Sequence, residues 1–367
     1  MTSMIGRVTS FVTYRDFRRL LKECSNYPPL AMFNDFLLLS VVFSFQGALL
    51  LTALILTLYI TFSFFGDVRV SNLEKKAVFI TGCDSGFGYE LAKKLDAERL
   101  RVFAACLTSE GEAKLKTECS SELITLKLDV TKSRDIQCAL QAVKSHLPSQ
   151  GLWAIVNNAG IGYPGPIEWQ PVEEMKKTLE VNLWGMVSIT KVFLPFLKRT
   201  KGRIVNVASA SGRLSSPFAA AYCISKFGVE AFSDALRNEM KHFGVTVHII
   251  EPGTFKTGIT DAEKNIQYLQ RLWENLDGDT KECYGGEFYE QAKAKLRDIR
   301  HIFSPNIFKV VDAMDHAVTS MHPKLRYVLG LDHQLIWRTL SFLPSEIQDF
   351  FFGLVLPKPK GNPDHDN

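Results

Sequence analysis

Lys76-Ala77-Val78-Phe79-Ile80-Thr81-Gly82-Cys83-Asp84-Ser85-Gly86-Phe87-Gly88-Tyr89-Glu90-Leu91-Ala92 decides how this chain folds. A short β-branched and aromatic run, Val78 to Ile80, enters a glycine-rich turn and leaves as a helix with Leu91, Ala92 and Leu95 on one side. Strand, turn and helix N-terminus together make an anion site, because free N–H groups and the positive helix end face one point. Glycine is needed where backbone approaches a ligand or takes positive φ. The spacing is Gly82-x-x-x-Gly86-x-Gly88, unlike the Gly-x-Gly-x-x-Gly of the general dinucleotide fingerprint. A glycine trio alone says little. Between a strand and a helix it predicts a pyrophosphate cradle formed by Thr81, Gly82, Asp84, Ser85, Gly86, Phe87 and Gly88.

Further strands follow at intervals. Leu126 to Val130 reads as a strand ending in an acid, Asp129, placed to meet an adenine edge. Trp153 to Gly160 is a buried strand closing in the small and amide residues Asn157, Asn158, Ala159 and Gly160. Ligands of open α/β sheets bind at such carboxyl tips. Asn182 sits inside an otherwise apolar helical run, where an amide must find partners. Ile204 to Ser209 is a strand delivering a serine, and Val245 to Gly253 is another, followed by Thr254 and Thr257. Strands alternating with helical segments from about 75 to 255 predict one doubly wound α/β domain with a mostly parallel sheet.

Tyr222-Cys223-Ile224-Ser225-Lys226 carries the chemistry, with Ser209 thirteen residues upstream. Tyr and Lys four apart share a helix face. A free phenol titrates near 10, too high for a base at neutral pH, and a nearby ammonium lowers it. A serine hydroxyl can hold a substrate oxygen beside the phenol, completing a proton-transfer device for interconverting alcohol and carbonyl. So short a pattern recurs by chance. Its company gives it weight. Cys223 reads as a helix residue facing the core rather than a nucleophile.

With all these pieces in order, residues from about 75 to 260 resemble the short-chain dehydrogenase/reductase family, with no departure at a catalytic position. The resemblance implies that Tyr222 is the acid/base and that Lys226 lowers its pKa and contacts the nicotinamide ribose. It implies that Ser209 orients the substrate oxygen and that Asn182 holds a water in the proton relay. Gly82, Gly86 and Gly88 would contact the pyrophosphate, and Asp129 the adenine. Asn157 would line the cofactor channel with Ala159, Gly160, Pro252 and Gly253, while Thr254 and Thr257 would approach the carboxamide and phosphate. Several strings, including Thr81 to Gly88, Tyr222 to Asp234 and Glu251 to Thr257, look like the branch of retinol, hydroxysteroid and D-beta-hydroxybutyrate dehydrogenases.

Within that branch, NADP-selective members place Arg or Lys before the second glycine or after the second strand. Here Ser85, Leu107 and Thr108 stand there, and Asp84 would repel a phosphate, so NAD(H) is favoured over NADP(H). The usual acid at the end of the second strand is also missing. The 259–276 segment spaces Ile259, Ile266, Leu269, Trp273 and Leu276 helically, as either a greasy lid or a face packed on the sheet. That favours a lipophilic alcohol, a hydroxysteroid or retinol. The alternative is (R)-3-hydroxybutyrate, whose carboxylate would need Arg213 or Lys256. A non-catalytic scaffold is the remaining reading, opposed by the complete Ser-Tyr-Lys-Asn set.

The 367 residues divide into an N-terminal segment (1–35), an apolar stretch (36–66), the catalytic domain (75–330) and an apolar tail (331–367). Phe36 to Phe65 contains no charge, and at about 1.5 Å per residue it can cross a bilayer core of roughly 30 Å. Flanking basic residues on both sides leave its orientation open. The expected membrane is the endoplasmic reticulum, as for membrane-bound relatives of this type. Arg7 and Arg15, with no acid in the first fifteen residues, make the mitochondrion the alternative. A net charge of +4 is too mild to suggest nucleic acid. Seven scattered cysteines, most in predicted core elements, argue against a disulfide framework. No histidine or cysteine spacing suggests a metal. Homo-oligomerisation is left open.

Overall fold

The computed structural model describes residues 49–57, 68–298 and 303–360. Among the described residues, seven strands form one parallel sheet in the order β3-β2-β1-β4-β5-β6-β7. They are β1 (Ala77–Thr81), β2 (Arg101–Cys106), β3 (Ile124–Lys127), β4 (Leu152–Asn157), β5 (Arg203–Val207), β6 (Thr246–Pro252) and β7 (Arg326–Leu329). The doubly wound arrangement matches the sequence expectation, and the order reverses between β1 and β4, which opens a crevice at their carboxyl ends. β7 was not foreseen. It is four residues long, and its Arg326 gives it no apolar signature.

Pleating explains the two cores. Along β1, Val78 and Ile80 face one side and Ala77 and Phe79 the other, all fully buried. On the first side Val78 and Ile80 meet Leu91 and Leu95 of α1 (Gly86–Ala97) and, further along the chain, Val310 and Met314. On the second, Phe79 stacks on Phe193 with ring centroids 4.6 Å apart. The helices in chain order after α1 are α2 (Ser109–Glu118), α3 (Ser133–His146), α4 (Val172–Leu179), α5 (Met186–Thr200), α6 (Ala220–Met240), α7 (Ala262–Glu274), α8 (Gly278–Asp298), α9 (Phe308–Thr319), α10 (Arg338–Ser341) and α11 (Ser345–Val355). Helices packed on both faces of the sheet explain why the strands read as continuous apolar runs.

Residues 331–360 are not a separate appendage. His333 is fully buried, and Leu340 and Phe352 pack on Leu214 from the loop after β5. Of the cysteines, Cys83, Cys106 and Cys223 are buried, but Cys138 and Cys283 are exposed, so fewer lie in the core than expected. Residues 49–57 are helical with their leucines exposed. The rest of the 36–66 stretch lies outside the described residues, and among those described no helix is long and apolar enough to cross a membrane.

Candidate active site

The glycine turn is built against β4. Gly82 and Gly86 have φ of 71° and 64°, the left-handed region that an L side chain strains to enter. A Cβ on Gly82 would lie 2.8 Å from the Ala159 Cα, and one on Gly88 would lie 2.4 Å from the Asn158 Nδ2 and 2.5 Å from the Gly82 oxygen. Asn158 is the residue that sequence reasoning missed here. Its Nδ2 donates to the carbonyls of Thr81 and Gly82, each at 3.0 Å, while the Thr81 hydroxyl accepts from the Asn158 and Ala159 amides. The turn is therefore clamped, and Ser85 at the helix N-cap makes no side-chain bond to the first amides of α1. Those amides are open to an anion, so the cradle fits a dinucleotide pyrophosphate.

From this cradle a cleft of ≈ 830 Å³ runs past Asp84, Leu107, Asp129, Ala159, Gly160 and Tyr163. Asp84 does something the sequence could not reveal. Its carboxylate accepts from the Leu107 amide (2.8 Å), the Thr108 amide (2.8 Å) and the Thr108 hydroxyl (2.7 Å). A carboxylate thus stands at the end of β2 after all, supplied from the turn. Asp129 lies two residues past the end of β3 rather than in it, and it accepts from the Thr131 amide and hydroxyl. Asn157 is not in the channel wall. It is buried, donating to Thr190 (3.0 Å) and Asn206 (2.8 Å), and so ties β4 to α5 and β5.

On the other side of the crevice, Ser209 follows β5 and Tyr222 and Lys226 lie on α6. Burial pushes the Tyr222 phenol up to about 12, and a hydrogen bond with Ser209 pulls the other way. The ammonium does not lower the phenol as expected. The Lys226 Nζ instead donates to the Val207 carbonyl (2.8 Å) and stands 5.5 Å from the Tyr222 ring centre. Burial lowers Lys226 itself to about 8, with Glu230 one turn on pulling it back up. Asn182 falls in a wide π-type turn, Glu180–Gly185, between α4 and α5. Its amide accepts from the Ile161 N–H (2.8 Å) and donates to the Ile161 carbonyl (2.8 Å) and Ser225 (3.0 Å). It holds the loop after β4 against α6.

That loop forms the wall beside the phenol. A Cβ on Gly162 would lie 2.9 Å from the Tyr222 ring and 3.3 Å from Ile259. The Gly165 N–H donates to the Phe218 carbonyl (2.7 Å), and Phe218 has φ of 65°, an outlier for a bulky residue. Phe218 packs on Phe288, and Tyr163 stacks on Tyr268 at 4.8 Å. In α7, Leu269 and Leu272 bury themselves against Trp169, Phe288 and Ala292 rather than against the sheet. The segment therefore does not pack on the sheet; it props an aromatic wall, with Ile259 beside Gly162 and the Tyr222 ring.

Arg213 is also committed. It binds Glu251 at 2.9 Å, and Arg326 of β7 binds Glu230, Glu251 (2.6 Å) and Asp234 (2.6 and 2.7 Å). Burial pushes the Glu251 carboxyl up, yet Arg213 and Arg326 outweigh it and hold it below its usual range. Pro252 ends β6, and the following Gly253-Thr254 turn is gripped by Asp332, another residue the sequence reading passed over. Thr257 caps a short turn with Thr260.

Comparisons with known proteins agree with this geometry. The profile described as "short chain dehydrogenase" matches residues 76–267. The chain is 45% identical over 291 residues to human "Short-chain dehydrogenase/reductase family 9C member 7", covering 79% of this chain and 93% of that one. It is likewise 45% identical to human "17-beta-hydroxysteroid dehydrogenase type 6" (79% and 92%) and to "Retinol dehydrogenase 7" of Rattus norvegicus (78% and 92%). Among solved structures, a short-chain dehydrogenase/reductase from Burkholderia phymatum in complex with NAD has a TM-score of 0.62 at 22% identity, covering 77% of this chain and 97% of that one, which shows the shared fold. The chain belongs to the short-chain dehydrogenase family, whose members are NAD(P)-dependent oxidoreductases.

Proposed function

We propose that this family member oxidises a lipophilic alcohol, a hydroxysteroid or a retinol, to its ketone or aldehyde with NAD. The observation that carries the substrate class is the apolar wall that starts at Gly162, against the Tyr222 ring and Ile259, and continues into the Tyr163–Tyr268 stack. The relatives named for 17-beta-hydroxysteroid and retinol dehydrogenases support it. The hydroxybutyrate alternative loses its first cation, since Arg213 already serves Glu251 and Glu230. A screen of retinol, estradiol, androsterone-type steroids and D-3-hydroxybutyrate on membrane-extracted enzyme tests the reading. Turnover of hydroxybutyrate alone would overturn it.

A nicotinamide bound in the crevice would supply the hydride acceptor. Ser209 holds the substrate oxygen, and Tyr222 Oη takes the hydroxyl proton as the C–H bond is broken. Lys226 sits one helical turn away, where a dinucleotide ribose reaching from the glycine cradle would meet its ammonium. Gly82, Gly86 and the open amides of α1 would hold the pyrophosphate. NAD is favoured by the Asp84 carboxylate at the end of β2, which repels a 2′-phosphate and leaves a lone-pair site for a ribose hydroxyl.

The apolar stretch 36–66 would lie in a bilayer, that of the endoplasmic reticulum. Exposed Leu331, Phe342, Phe350 and Leu354 in the tail support a second contact with lipid. Resistance of the full chain to alkaline carbonate extraction is the expected result, and its release would remove the integral segment from this reading.

A further inference from the structure

We propose that Asp332, from the segment after β7, is a positioning residue for the nicotinamide end of the cofactor site and biases that site toward the oxidised form. The proposal rests on the reading that Thr254 meets the nicotinamide carboxamide. Asp332 Oδ2 accepts from the Thr254 amide (2.8 Å), the Thr254 hydroxyl (2.8 Å) and the Trp337 indole (3.2 Å). The Gly253 N–H donates to the Leu329 carbonyl at 2.7 Å, so the turn after β6 is already zipped to the end of β7. Asp332 then closes it from three residues further on. The fit is tight: a Cβ on Gly253 or on Gly330 would stand 2.4 Å from Asp332 Oδ1. Gly330, with φ of 97°, makes the bend that returns the carboxylate to the turn.

Two consequences follow from the chemistry. Thr254 spends its hydroxyl proton on Asp332, so the lone pairs left on Oγ1 can only accept. A carboxamide offers an NH2 donor, which matches that polarity. The donors to Asp332 Oδ2 are an amide, a hydroxyl and an indole, all neutral, so these bonds leave the negative charge uncancelled. An oxidised nicotinamide ring carries a positive charge and a reduced one does not. A carboxylate held behind Thr254 therefore favours the oxidised form, the direction alcohol oxidation requires.

The test is equilibrium binding of NAD+, NADH and ADP-ribose to the full-length, detergent-extracted protein and its Asp332→Ala, Asp332→Asn and Thr254→Val variants. ADP-ribose fills the adenosine and pyrophosphate positions without a nicotinamide. Asp332→Ala is expected to weaken NADH by roughly tenfold, to weaken NAD+ by roughly three- to tenfold more than that, and to leave ADP-ribose unchanged. Asp332→Asn keeps an accepting oxygen and the volume, so NADH affinity returns while NAD+ stays weaker by roughly three- to tenfold. Equal loss of all three ligands in both variants would make Asp332 a fold residue only and overturn the proposal. An unchanged NAD+/NADH ratio in Asp332→Asn, if that variant alone folds, would overturn the charge argument. A Thr254→Val variant that binds both nicotinamide forms like wild type would instead sink the reading of Thr254 itself. Wild-type protein that binds none of the three would sink the dinucleotide site as a whole.

Discussion

The two halves of the crevice are made from different materials. Before the reversal point, between β1 and β4, the site is backbone: Gly82, Gly86 and Gly88 bring N–H groups together, and Thr81 and Asn158 clamp them with neutral hydrogen bonds. After it, between β5 and β7, the site stands on buried charge. Lys226, Glu230, Glu251 and Arg326 lie within one block, with Arg213 at its edge. A backbone site is cheap to hold, since each amide needs only its geometry. A charged one must set Coulomb attraction against desolvation at every group. The first half should therefore fail through sterics and the second through electrostatics.

The largest effect belongs to the second half. Tyr222→Phe deletes the transferable proton with little change in volume, and turnover should fall by about a thousandfold or more. Dinucleotide affinity should hold within a few-fold, because the cradle across the crevice is untouched. Since burial keeps the wild-type phenol protonated up to about 12, oxidation by the wild type should accelerate from pH 7 and level off above about 8, where the Lys226 ammonium is lost. Retention of a tenth of the wild-type rate by the variant would end the role of the phenol.

Arg326→Met attacks the charge block itself. It leaves Glu230 without its shortest cation contact, Asp234 with Arg237 alone and Glu251 with Arg213 alone. Breaking such a pair costs about 3–5 kcal/mol, read as a lower urea midpoint. Protonating the orphaned carboxylates relieves the cost, so the loss should be greater at pH 8 than at pH 5. A loss independent of pH would mean that packing, not charge, holds β7 to the sheet.

In the first half the matching perturbation is small and specific. Ser85→Arg puts a guanidinium at an exposed position beside Asp84, where a 2′-phosphate would stand. The ratio of NAD to NADP efficiency should fall by roughly tenfold, with stability unchanged. If wild type already prefers NADP, the Asp84 argument fails, and Lys132, Lys176 or Lys177 in the same cleft becomes the phosphate partner to test.

The same contrast explains what could be read from the chain. The glycine turn lies within eight consecutive residues, and a helical Tyr and Lys one turn apart announce themselves, so both were legible. Asp84 reads from the sequence as a cradle residue and a repulsive charge, and its hydrogen bonds stay hidden because its partners, Leu107 and Thr108, are more than twenty residues away. Asn157 reads as a channel residue because tip position cannot tell an amide facing the ligand from one facing Thr190 and Asn206. Arg213 was offered to a substrate carboxylate because Glu251 reaches it only through the β5–β6 pairing. Asp332 had no local signature at all. Short-range backbone chemistry is written in order; long-range charge pairing is not.

The last prediction separates the two roles of Lys226. Its pKa falls from an ordinary 10.5 to about 8 on burial, which means that the folded protein resists the charge the site uses. A lowered folded pKa for a base makes the unfolded chain bind more protons between those values, so stability rises with pH across that window. Below pH 8 the full penalty is present, about 3 kcal/mol for a group this buried. Lys226→Met removes the penalty but also loses the bond to the Val207 carbonyl, worth about 1–3 kcal/mol. The variant should thus be inactive yet slightly more stable at pH 7, by about 1 kcal/mol, and the advantage should vanish at about pH 9 and reverse above it, where only the lost bond remains. Thermal midpoints of both proteins at pH 7, 8.5 and 10 decide it. A variant that is less stable at every pH would show that the lysine is held by packing and hydrogen bonding alone, and that no stability is sacrificed for its charge.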